Sequence, residues 1–206
     1  CGIPFRKIQE GCRFRTNDIA GCLISHEHHD HSKAAPELIR RGMDVYTSQG
    51  TIDACGLSGH RVHTIKAHVR VDIGTFAIQP FDTEHDAAEP LGFLIYSSVT
   101  GDKLLYVTDS YYIKYKFPGL THIMIEANYS LDILNDNIGT DPDMGARKRR
   151  LMESHMSIDH LEDMLKANDL SRLQQIYLIH MSSDNSDEAE FKERIQRLTG
   201  AEVFIA

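Results

Sequence analysis

The apolar run Ile19-Ala20-Gly21-Cys22-Leu23-Ile24-Ser25 ends directly in His26-Glu27-His28-His29-Asp30-His31. That junction constrains the fold more than any other stretch, because it puts imidazoles and a carboxylate at the tip of a buried strand. A strand alternates its side chains with period two, so His26 and His28 leave it pointing the same way, and Asp30 and His31 follow as the chain turns. His29 falls on the other side and is not expected to coordinate. Imidazole suits zinc, iron and manganese, and a carboxylate among imidazoles admits harder ions. The spacing therefore predicts a metal site whose two ions share one loop. A purification tag would be contiguous and terminal, and a solvated polar loop rarely carries this pattern.

A chain of 206 residues suffices for one domain with a substantial core and is short for two, so a single domain over 1–206 is expected. No apolar run approaches the eighteen or so residues that a membrane span needs, and no membrane partner is expected. Cys1, Cys12, Cys22 and Cys55 lack paired metal-type spacing and read as free thiols in a reducing cytoplasm, bacterial or that of a phage host. No signal peptide is visible, and the opening Cys1-Gly2 is consistent with a missing N-terminal segment.

The net charge of −8 opposes long-range capture of a polyanion, whereas a small anionic substrate held by bound cations needs no basic stripe. Arg147-Lys148-Arg149-Arg150 is the one basic cluster; it reads equally as a solvated helix face or as a flap from which Arg149 or Arg150 could reach a phosphate.

Short apolar runs between turn signals predict strands at Gly21 to Ser25, Asp44 to Thr47, Arg61 to Ile65, Phe76 to Asp82, Leu91 to Tyr96, Lys103 to Thr108, His122 to Ala127, Gln175 to Ile179 and Glu202 to Ile205. Helices are expected at Ser32 to Arg41, Ile158 to Ala167 and Asp187 to Leu198, the second with Ser157 as N-cap and an apolar stripe of Ile158, Leu161, Met164 and Leu165. The stretch from Leu131 to Met152 lacks a clean period and reads as a flap or interaction segment.

Two metals need more ligands than one loop supplies. His85, Asp109 and His180 each follow an apolar strand, and strand ends along one sheet edge can converge. Asn128 follows another strand and is a weaker candidate for facing a pocket, since turns favour Asn anyway. His60, His63, His68, His122 and His160 are read as structural or exposed.

The His26 to His31 block, the segment His85-Asp86-Ala87-Ala88-Glu89-Pro90-Leu91-Gly92-Phe93, Thr108-Asp109 and Leu178-Ile179-His180 together resemble the metallo-beta-lactamase superfamily over essentially the whole chain. The resemblance is greatest to its ribonuclease Z-like group of bacterial and phage phosphodiesterases. It implies an α/β (α+β) four-layer αββα sandwich, here lacking the first two strands, with an open edge that a homodimer would cover. It also implies that His26, His28 and His85 hold one metal and Asp30, His31 and His180 the other, with Asp109 bridging. The cofactor is then two divalent ions, zinc first and manganese second.

Two cations about 3.5 to 4 Å apart share a hydroxide and neutralise phosphate oxygens during in-line attack. Asp30 would orient the attacking water. A leaving alkoxide wants a proton, and the resemblance points to His155, in Ser154-His155-Met156-Ser157, as its donor. The leading expectation is a dinuclear metal phosphodiesterase acting on a nucleotide-type substrate, with the acidic balance favouring a small cyclic or dinucleotide one. Ribonuclease Z-like or exonuclease activity on RNA or DNA is the alternative within that class. Thioester or lactam hydrolysis on the same fold, and a non-catalytic metal-binding protein, are the alternatives outside it.

Overall fold

The computed structural model describes residues 1–138 and 142–206, so part of the proposed flap lies outside the described residues. They form two compact units, one of residues 1–82 and 87–93, the other of 83–86 and 94–206.

The first unit opens with α1 (Phe5–Gly11) and a 3-10 turn at Thr16–Asp18, then β1 (Cys22–Leu23), α2 (His29–Ser32), α3 (Ala35–Arg40), β2 (Val45–Thr47), α4 (Gln49–Cys55) and β3 (Val62–Thr64). β1, β2 and β3 form a parallel sheet in that order, with Cys22 opposite Val45 and Val45 opposite Val62. Ile24, Ala35, Leu38, Met43, Val45 and Ile52 are its buried core. β4 (Val71–Ile73) and β5 (Phe76–Asp82) pair antiparallel. The expected helix over Ser32–Arg41 is corrected to two pieces. Pro36 sits in the first turn of α3, where its missing N–H costs nothing, but a helix running through it would lose a hydrogen bond. β4 and α4 are elements that the sequence analysis did not include.

The second unit holds the rest of β6 (Leu91–Ser97), whose first three residues belong to the first unit, followed by β7 (Lys103–Val107), β8 (His122–Glu126), α5 (Leu131–Ile138), α6 (Pro142–Ser154), α7 (Ile158–Ala167), β9 (Gln175–Ile179), α8 (Glu188–Thr199) and β10 (Glu202–Ile205). β7, β8, β9 and β10 are parallel neighbours in sequence order, with Val107 opposite Ile125 and Glu126 opposite Ile179. Leu105, Ile123, Ile125, Ile176, Leu178 and Val203 are buried along these strands. The described part of the 131–152 segment is helical. α7 has the expected bounds; the Ser157 side chain accepts from His160 N and its apolar stripe is buried.

Candidate metal centre

In the first unit, β1 is only two residues long, and the chain beyond it is pinned by neighbours. Ile24 N bonds Tyr46 O at 3.1 Å, Thr47 Oγ1 donates to Ile24 O at 2.9 Å, and Leu91 N bonds Ser25 O at 2.9 Å. His26 is buried, with its ring 4.7 Å from that of His28 and 4.3 Å from that of His31. Ser32 Oγ donates to Glu27 O at 2.7 Å and Ala88 N donates to Glu27 Oε1 at 2.8 Å, so Glu27 closes the loop while the histidines flanking it group together. Asp30 Oδ2 lies 3.3 Å from His31 Nε2, and the Asp30 side chain is 65% exposed. His29 begins α2 and is exposed. Gly2 runs against this loop so closely that a Cβ there would sit 1.2 Å from the Asp30 carbonyl oxygen, which only glycine avoids.

The second unit builds its cluster where parallel strands end together. Asp109 follows β7, Glu126 ends β8 and His180 follows β9, and the strand register brings these three ends to one edge. Asp109 and His180 both have positive φ, at 48° and 54°. Such a backbone is costly for side chains other than glycine, mildest for Asp, and tends to persist at functional sites. Asp109 is almost fully buried; its carboxylate lies 3.5 Å from His85 Nε2 and 3.1 Å from His180 Nδ1. His85 Nδ1 meets the Ser154 carbonyl at 2.9 Å, which directs Nε2 at Asp109, the orientation that an outer partner gives a metal-ligating histidine.

Glu126 was missed by sequence reasoning. Its carboxylate is wholly buried and accepts from Ser110 N at 3.2 Å and Met156 N at 3.1 Å, and meets His155 Nδ1 at 2.7 Å and His180 Nδ1 at 2.8 Å. The available signal was an acid closing the apolar run Ile123-Met124-Ile125, as Asp109 closes the run after Lys103. Asp109, Glu126, His155 and His180 each offer a ligand atom, all within 4.8 Å of one another. Buried carboxylates among imidazoles are a donor set that fits a divalent cation.

The sequence-level candidates for substrate contact fall in different environments. Asn128 is buried; its side chain donates to His180 O at 2.8 Å and its backbone bonds Met156 O and Ser182 N, so it braces the His180 turn rather than offering its amide to a pocket. Arg149 and Arg150 are exposed on α6 and line a cleft of about 720 Å³ with His85, Asp86 and Tyr111. Arg150 approaches Asp86 at 3.9 Å across solvent. Among the histidines set aside as structural, His63 pairs with Asp44 at 2.9 Å and His160 Nδ1 meets the Tyr111 carbonyl at 3.0 Å.

Comparison with known proteins bears on the family and the fold. A family model described as a beta-lactamase superfamily domain matches residues 4–181. Exodeoxyribonuclease YycJ of Bacillus anthracis is 28% identical over 185 residues, spanning 82% of this chain and 67% of that protein. Exodeoxyribonuclease WalJ of Streptococcus pneumoniae is 28% identical over 191 residues, spanning 84% and 67%. The crystal structure of the metallo-beta-lactamase fold protein YhfI from Bacillus subtilis superposes with a TM-score of 0.68 at 15% identity, covering 93% of this chain and 76% of that one. The architecture that the resemblance implied is thus the one adopted, a metallo-beta-lactamase fold. With the matched region running from the N-terminal segment through the His180 turn, this chain belongs to the beta-lactamase superfamily domain family.

Proposed function

We propose that the protein is a metal-dependent nuclease, a hydrolase of phosphodiesters in nucleic acid. The observation that carries this reading is the cluster of buried Asp109 and Glu126 with part-buried His155 and His180, in the same unit as a cleft that joins His85 to two exposed arginines. The exodeoxyribonuclease names of relatives at 28% identity support a polynucleotide substrate over the small cyclic nucleotide that net charge alone favoured.

In this reading His26, His28 and His85 would hold one cation and Asp30, His31 and His180 a second, with Asp109 as the ligand that would be shared. The donor set of imidazoles and carboxylates suits zinc, with manganese as the alternative. Bound cations supply an activated water and neutralise the non-bridging phosphate oxygens. The chain's own groups do the rest. Asp30, the most exposed of the proposed ligands, accepts a hydrogen bond from the attacking water and orients it. Arg149 and Arg150 offer forked donors that match phosphate oxygens from the α6 side of the cleft. Glu126 holds the His155 ring through Nδ1, which leaves Nε2 to give a proton to the departing alkoxide.

The test is a substrate panel with the metal-reconstituted protein. It comprises single- and double-stranded DNA labelled at either end, RNA of the same sequence, cyclic nucleotides and a thioester reporter. Cleavage of a polynucleotide that is abolished by chelation and restored by zinc or manganese is the expected result. Turnover of the thioester or of cyclic nucleotides alone would overturn it.

A further inference from the structure

Immediately after Asp109 the chain runs Ser110-Tyr111-Tyr112-Ile113-Lys114-Tyr115-Lys116-Phe117, a segment that alternates aromatic and basic residues and has no helix or strand. It is nevertheless held along its length. Tyr111 N bonds Glu84 O at 3.2 Å, Ser110 Oγ donates to Tyr112 O at 2.8 Å, and Phe117 N donates to Asn168 Oδ1 at 2.7 Å. Ile113 and Phe117 are buried and anchor it. The anchors leave Tyr112 53% exposed, and Lys114 and Lys116 exposed beside it.

Two cavities meet this segment. Tyr111 lines the cleft that holds His85 and Arg149, and Tyr112, Lys114 and Lys116 line a smaller one of about 110 Å³. Lys114 is paired with Glu84 at 3.3 Å, and Arg150 faces Asp86. Among the described residues no carboxylate pairs with Lys116 or Arg149, so these two cations are available to phosphates.

Building on the nuclease reading, we propose that residues 111–116 form a track for single-stranded polynucleotide, with a base stacked on Tyr112 and flanking phosphates on Lys116 and Arg149. A duplex keeps its bases paired inward and offers a protruding tyrosine nothing to stack on except at an end. A single strand presents a π-face at every nucleotide. With a net charge of −8 the protein gains little from long-range attraction, and a short-range stacking contact supplies affinity that salt does not screen. The anchored backbone lowers the ordering cost of binding.

The experiment is fluorescence anisotropy with the metal-loaded protein and a labelled, cleavage-resistant phosphorothioate oligo-dA of about twelve nucleotides, beside a blunt hairpin duplex. Tyr112→Ala should weaken single-strand binding by about 5- to 100-fold, and Tyr112→Phe should restore it. Lys116→Ala should reduce the slope of log K against log salt by about 0.7. Single-strand binding by Tyr112→Ala within about twofold of wild type, or an equal loss on the hairpin, would overturn the track. Cleavage of ordinary DNA by the wild type, run in parallel, separates the two readings. A wild type that cuts DNA while Tyr112→Ala binds normally sinks the track alone, and one that neither binds nor cuts any polynucleotide sinks the nuclease reading with it.

Discussion

The buried Glu126 carboxylate lies 2.7 Å from His155 Nδ1, so the orientation of a half-exposed imidazole is set by an acid with no contact with solvent. The same carboxylate caps two backbone N–H groups and the His180 ring, which makes it the common support of the second unit's cluster.

Glu126→Ala leaves the Ser110 and Met156 N–H groups without an acceptor in a buried site. A loss of about 2–4 kcal/mol in stability is expected, read by denaturant unfolding. Glu126→Gln keeps the volume but turns an amide donor toward other donors, and turnover should fall by about 10- to 100-fold. Wild-type turnover in Glu126→Gln would remove Glu126 from the functional cluster.

Asp109 combines a positive φ with a nearly buried carboxylate. Asn tolerates that backbone as well as Asp does, so Asp109→Asn tests charge without disturbing the turn. Metal analysis after dialysis should show loss of bound metal, while circular dichroism stays that of the wild type. Full metal content in Asp109→Asn is incompatible with a bridging ligand.

His155 as the proton donor predicts a dependence on the leaving group. His155→Ala should slow hydrolysis of a nucleotide diester by about 10²- to 10⁴-fold and spare bis(p-nitrophenyl) phosphate, whose aryl oxide departs without a proton. Equal losses on both substrates would mean that His155 positions the site instead.

A pH dependence of stability is expected at Asp44. The hydrogen bond from His63, with Arg61 nearby, holds its carboxyl below the usual aspartate range. A depressed native pKa contributes stability that is fully present above the unfolded value of about 3.9 and is lost as pH falls through the native one. The wild type should therefore be more stable than Asp44→Asn near neutrality, by less than about 1 kcal/mol because the pair is partly solvated. Urea midpoints of the two should converge in acid below that range; a gap that persisted there would assign the effect to packing.

The segments readable from sequence were those whose information is local. β5, α7, β9 and β10 have the expected bounds, because a period of 2 or 3.6 over four or more residues and a capping serine are properties of one short window. The grouping of the His26, His28 and His31 rings is likewise local, since all three lie within one six-residue stretch. Tertiary structure alone decided the role of Glu126, whose partners come from positions 110, 155, 156 and 180 and meet only because parallel strands end in register. It also decided that Asn128 braces a turn and that Arg149 faces a cleft, since hydrogen-bond partners and concavity depend on residues far apart in the chain. Periodicity reports which face of an element is buried, whereas what that face meets depends on how the strands pair.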